Sequence, residues 1–114
     1  MDCLFCKIVA GDIPSTKIYE DEYVLAFKDI APMAPVHVVI IPKKHIAASA
    51  MEINAENSAV IAKLFEAVPE IARLCGVEKS GFRIANNCGD DACQSVKHIH
   101  FHLLGGEKLS EKMC

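Results

Sequence analysis

His98-Ile99-His100-Phe101-His102-Leu103-Leu104 sets three of the chain's five histidines at every second position, with apolar residues between them. Successive side chains of a β-strand point to opposite faces, so the pattern predicts a strand over residues 96–104. Its three imidazoles line one face at spacings of about 6.5–7 Å, while Ile99, Phe101 and Leu103 enter a core on the other. One histidine on a half-exposed strand is an ordinary solvated residue. Three in phase are not, because imidazole is the side chain most suited to act as base, nucleophile or metal ligand near neutral pH. Such a face is also a poor packing surface, which marks it as a candidate site.

Working outward, residues 81–87 read as a strand that the loop 88–95 joins to the histidine strand. Strands so close in sequence are expected to be antiparallel neighbours, with the loop reaching over the histidine face. Its Gly, Asp and Ser residues offer backbone N–H groups to an anion. Upstream, Val60, Ile61, Leu64, Phe65, Val68, Ile71, Ala72 and Cys75 recur at helical spacing, predicting a core helix from Asn54 or Ala55 to Gly76 that Pro69 kinks or splits. Residues 37–41 form a near-continuous β-branched strand closed by Pro42, after a stiff loop carrying Pro32 and Pro35. Residues 17–19 and 23–27 read as a hairpin across Glu20-Asp21-Glu22. A short helix over residues 2–10 is expected to end at Gly11.

The 114 residues suit one domain, 1–114, with 52% hydrophobic and 24% charged residues. A net charge of −3 without a basic stripe argues against binding nucleic acid through its phosphates. With neither a membrane-spanning run nor a signal-peptide pattern, the expected location is the cytoplasm, extending to the nucleus in a eukaryote. There the six cysteines, Cys3, Cys6, Cys75, Cys88, Cys93 and Cys114, are expected to be thiols or metal ligands. Cys3-Leu4-Phe5-Cys6 has the spacing of half a zinc site, whose other two ligands must come from elsewhere; histidines are the candidates.

His98-Ile-His100-Phe-His102-Leu-Leu resembles the His-φ-His-φ-His-φ-φ signature of the histidine-triad (HIT) nucleotide-binding proteins. The similarity extends through Cys3-Leu-Phe-Cys6-Lys-Ile, Tyr19-Glu-Asp, Leu25-Ala-Phe27-Lys-Asp29-Ile30, Pro35-Val-His37, Ile41-Pro42-Lys43-Lys44-His45-Ile46, Asn87 and Gln94-Ser95-Val96, in the expected order. It is nearest to the nucleoside phosphoramidase branch. The resemblance implies an α+β fold with a five-stranded antiparallel sheet and one long and one short helix per subunit, assembled as a homodimer, and hydrolysis of AMP or GMP conjugates at the α-phosphate.

On that resemblance His100 is the nucleophile that becomes transiently nucleotidylated. His102 and Ser95 match residues contacting the phosphate and the departing group, and His98 and His37 residues bordering the site. Asp29 matches the ribose acceptor, Asn87 and Gln94 phosphate-side contacts, and Phe5, Phe27 and Ile30 the base pocket. The CxxC pair marks the zinc-binding subset, implying a structural zinc on Cys3, Cys6, His45 and His98 that leaves His100 and His102 for the chemistry. Two features depart from the branch: Cys93 replaces the usual glycine beside the phosphate, and the tail after Gly105-Gly106 lacks a Trp-Pro-Pro-Gly-type ending. The alternatives are a nucleotide-binding scaffold with little turnover, a dinucleoside polyphosphate hydrolase, and a metalloenzyme with all three histidines on one metal. A nucleotidyltransferase is not expected, since that branch generally replaces the third histidine by glutamine.

Overall fold

The computed structural model describes residues 3–112. Its elements are α1 (Leu4–Ala10), β1 (Lys17–Glu20), β2 (Val24–Lys28), β3 (Val36–Pro42), α2 (Ser58–Leu74), β4 (Phe82–Ala85) and β5 (Phe101–Gly105). The strands form one five-stranded antiparallel sheet in the order β1-β2-β3-β5-β4, the α+β architecture expected.

The central strands β2 and β3 are buried along most of their length because both faces of the sheet are covered. Val24, Ala26, Val38 and Ile40 face α2 and pack with Leu64, Val68 and Ile71. Leu25, Phe27, Val39 and Ile41 face the other way and pack under α1 through Phe5 and Ile8. Ile99, Phe101 and Leu103 join the α2 side, as their spacing predicts. His102 pairs directly with Val39 and with Ala85, so it lies on the α1 side.

Several boundaries differ from the sequence reading. Only His102 of the three histidines lies in β5, because the ladder with β3 begins at Phe101 and His98–His100 precede it without strand pairing. That segment is held instead by the Ile99 N–H donating to Ala47 (3.0 Å) and by side-chain bonds. Nor is the histidine face left unpacked: Phe5 sits edge-on to His98 and His100, which are 0% and 4% exposed. α2 begins at Ser58 because Asn54 and Asn57 cap a preceding turn with their own side chains. It runs unsplit through Pro69, whose ring faces solvent while Val68, Ile71 and Ala72 stay buried on either side of it. β4 stops at Ala85, short of Asn86 and Asn87. The expected helix start at Asp2 and the thiol Cys114 lie outside the described residues. Among the described residues no helix is long and apolar enough to cross a membrane.

Candidate functional site

α1 carries the first half of the site to the histidines. The Cys3 thiol caps the helix by accepting the Cys6 N–H (3.3 Å), and Gly11, at φ 84°, ends it with bonds back to the last turn. Both sulfurs thereby face His98: its Nδ1 lies 3.3 Å from Cys3 Sγ and 3.6 Å from Cys6 Sγ, while His45 Nδ1 lies 3.4 Å from Cys6 Sγ. His98 Nε2 is 2.9 Å from the Pro42 carbonyl, which can only accept, so the ring proton is on Nε2 and the Nδ1 lone pair faces the thiols. The four ligand atoms all lie within 4.8 Å of one another. Two thiols and two imidazole nitrogens converging in this way match the donor set and spacing of a tetrahedral zinc site. Burial drives the His98 pKa down and the Cys6 pKa up, so the cluster favours neutral donors that a cation would deprotonate at sulfur.

Two residues on, the main chain fixes a second ring. His100 Nδ1–H donates to the His98 carbonyl (2.8 Å), leaving Nε2 with its lone pair. Burial lowers the His100 pKa, outweighing that hydrogen bond and the pull of Asp29, so the imidazole is neutral near pH 7. His102 follows at a ring separation of 5.2 Å, edge-on to His100 with the ring planes 77° apart.

The tautomer of His102 is set from β3. The Met33 N–H donates to His37 Nδ1 (3.0 Å), which places the His37 proton on Nε2. That Nε2 is 2.9 Å from His102 Nδ1, so His37 donates and the His102 proton sits on its own Nε2. Asp29 Oδ2 lies 3.4 Å from the same His37 nitrogen, and its Oδ1 accepts the Ala31 N–H. Burial, with His100 and His37 nearby, lowers the His102 pKa as well. Adjacent imidazoles are thus held in opposite tautomers, His100 with a free lone pair at Nε2 and His102 with an N–H there.

The other candidates are placed less uniformly. Asn87 lines a cavity of about 350 Å³ beside His37 and His102, and Ser95 is exposed on the loop before the histidines. Gln94 is engaged at both ends of its amide, accepting from the Gly89 N–H and donating to the Ala48 and Val96 carbonyls. Phe5 and Phe27 are buried edge-to-face at 5.7 Å, whereas Ile30 is fully exposed. Cys93 takes the left-handed conformation that glycine favours, φ 61°, and its side chain is exposed. The three histidines do not converge on one point: among the described residues His98 belongs to the Cys3–Cys6–His45 group and His102 to a separate group with Asp29 and His37. This sets aside a single metal held by all three.

Three contributors are absent from the sequence reading. Pro42 and Met33 act through a backbone carbonyl and a backbone N–H, which carry no side-chain signal. Asn86, whose Nδ2 donates to the His100 carbonyl (2.8 Å), was legible as an asparagine where a strand should continue.

The HIT domain family profile matches residues 10–109. The chain belongs to the HIT family. A solved HIT family hydrolase from Clostridium thermocellum superposes with a TM-score of 0.94 at 47% identity, covering 99% of this chain and 97% of that one. A 14 kDa zinc-binding protein from Brassica juncea is 40% identical, covering 96% of each chain. Adenylylsulfatase HINT1 from Arabidopsis thaliana is 40% identical over 94% of this HIT chain and 73% of its own length.

Proposed function

We propose that this HIT domain is a hydrolase of purine nucleoside 5′-monophosphate conjugates, of the phosphoramidase type, working through a nucleotidyl intermediate on His100. The opposed tautomers carry the reading. Nε2 of His100 attacks the α-phosphorus and forms a P–N bond as the bond to the substrate nitrogen opposite it breaks. That nitrogen leaves with the electron pair, takes a proton from solvent and departs as the amine. The positive charge gained by the His100 ring is compensated at the His98 carbonyl, which already accepts its Nδ1–H. His102 Nε2–H donates to the phosphoryl group as charge develops there. Water then attacks phosphorus, the bond to Nε2 breaks with its electrons returning to the ring, and the nucleoside monophosphate is released with a proton.

In this reading Asp29 takes a ribose hydroxyl, Phe5, Phe27 and Ile30 border the base, and Asn87, Gln94 and Ser95 border the phosphate. Cys3, Cys6, His45 and His98 hold a structural zinc outside the bond-breaking steps. It is supported by the converged donor set and by the name of the Brassica relative. A homodimer fits the edge position of β4 and the exposure of Phe65, Leu74 and Phe82. Sedimentation should then give about twice 12.4 kDa.

The test is turnover of adenosine 5′-phosphoramidate and AMP-lysine, compared with a dinucleoside tetraphosphate, with AMP release followed. Acid-quenched protein should carry one adenylyl group at His100. His100→Ala should lose turnover by several orders of magnitude; retention of more than about a tenth of kcat, roughly 1.4 kcal/mol in barrier, removes His100 from the role. Nucleotide binding without turnover would favour the scaffold alternative.

A further inference from the structure

The cavity of about 350 Å³ beside His37 and His102 does not include His100, Phe5, Phe27 or Asp29. It is lined by His37 and His102, by Ala85 and Leu104 of the sheet, and by residues of the segment 107–112 that follows β5. Arg83 Nη2 donates to the Ser110 carbonyl (2.7 Å) and so ties that segment across the cavity. In-line displacement at phosphorus puts the departing group opposite the nucleophile. A cavity that His102 lines and His100 does not is the candidate space for that group.

The cavity's charge is lopsided. Arg83, Lys108 and Lys112 line it against one carboxylate, Glu107, and among the described residues no ion pair engages Lys108, Lys112 or Glu107. Met33, Leu104 and Leu109 supply apolar wall to the same cavity. A cavity that combines apolar wall with cations free of ion pairs fits a short aliphatic chain ending in an anion. A cationic end would meet like charge there, and a neutral end would leave the lysines unpaired.

We propose that this cavity receives the departing group and selects one with an anionic terminus, such as an amino acid joined through its nitrogen with the carboxylate free. The inference rests on the hydrolase reading above and deepens it by naming the class of conjugate. Three adenosine 5′-phosphoramidates of similar length separate the two: those of γ-aminobutyrate, butylamine and 1,4-diaminobutane. Turnover of the neutral butylamine conjugate tests the hydrolase reading. The charge preference tests the cavity, through kcat/KM and also through calorimetric affinity for His100→Ala protein, which reports the cavity whether or not turnover occurs.

The expected order is anionic, neutral, cationic, with about tenfold between the extremes at low salt, the size that two exposed ion pairs provide, shrinking as salt screens them. Lys108→Gln/Lys112→Gln should bring the ratio close to one with the neutral conjugate unaffected. Equal affinities for the three conjugates, a preference for the cationic one, or an unchanged ratio in the double variant would each overturn the assignment.

Discussion

Phe5 is the joint between the candidate zinc cluster and His100, the proposed nucleophile, and its removal should be costly in two separable ways. The ring is 7% exposed and stands edge-on to Phe27 at 5.7 Å, His98 at 5.7 Å and His100 at 4.9 Å. Phe5→Ala deletes a buried aromatic from a site closed by a helix on one side and two central strands on the other, so little collapse is available and the cost should be about 3–5 kcal/mol. An unfolding entropy of about 2.1 cal/mol/K per residue over 114 residues gives about 0.24 kcal/mol/K, so Tm should fall by about 12–20 °C. Thermal unfolding followed by circular dichroism on zinc-loaded protein measures this. Phe5→Leu, which keeps most of the volume, should lose less than half as much. Assayed well below its Tm, Phe5→Ala should also lose kcat, because one wall of the His100 ring is gone. A Tm loss under about 4 °C, near 1 kcal/mol, would refute the packing argument. Full kcat with the expected loss of Tm would show that Phe5 is a core residue and nothing more.

Three other perturbations follow from the same geometry. Cys3→Ser/Cys6→Ser should purify with far less than one zinc per chain and a lowered Tm, and elemental analysis finding full zinc would refute the ligand set. Asp21 is half-buried, which raises its pKa, but the Tyr19 hydroxyl and the Tyr23 and Val24 amides outweigh this and hold it below the ordinary carboxylate value. Because the folded pKa is depressed, its contribution is present above about pH 4 and fades as pH falls through the folded value; Asp21→Ala should cost about 1–2 kcal/mol at pH 7 and visibly less near pH 3 in urea titrations. Gly106 has φ +88°, and a Cβ there would lie 2.9 Å from Pro35 Cβ. Gly106→Ala should therefore destabilise by about 2 kcal/mol or more, and an unchanged urea midpoint would contradict it.

Much of the sheet was legible because period-2 patterning is a backbone property: Ile99, Phe101 and Leu103 enter the core as their spacing predicts. The resemblance placed Cys3, Cys6, His45 and His98 together, and the structure brings their ligand atoms into one cluster. What the pattern could not reveal was where pairing begins. His98 and His100 continue the alternation of His102, yet only His102 has a strand partner. The ring tautomers were equally hidden, since they depend on the Pro42 and His98 carbonyls and the Met33 N–H, groups that every sequence of this length supplies. Pro69 does not split α2, because buried residues on both sides of it outweigh one lost helical hydrogen bond.

His98 presents its imidazole to the two thiols and its carbonyl to the His100 ring. The first contact is written in the side chain, but the second is offered by any amino acid at that position. The two differ in mutability. Drift that replaces the cysteines and the residue 98 ring takes away the candidate zinc ligands while leaving in place the carbonyl that accepts the His100 Nδ1–H. On the proposed reading, then, loss of the ligand set and loss of the contact that orients the His100 ring are separate events, because only the first depends on which side chain stands at position 98.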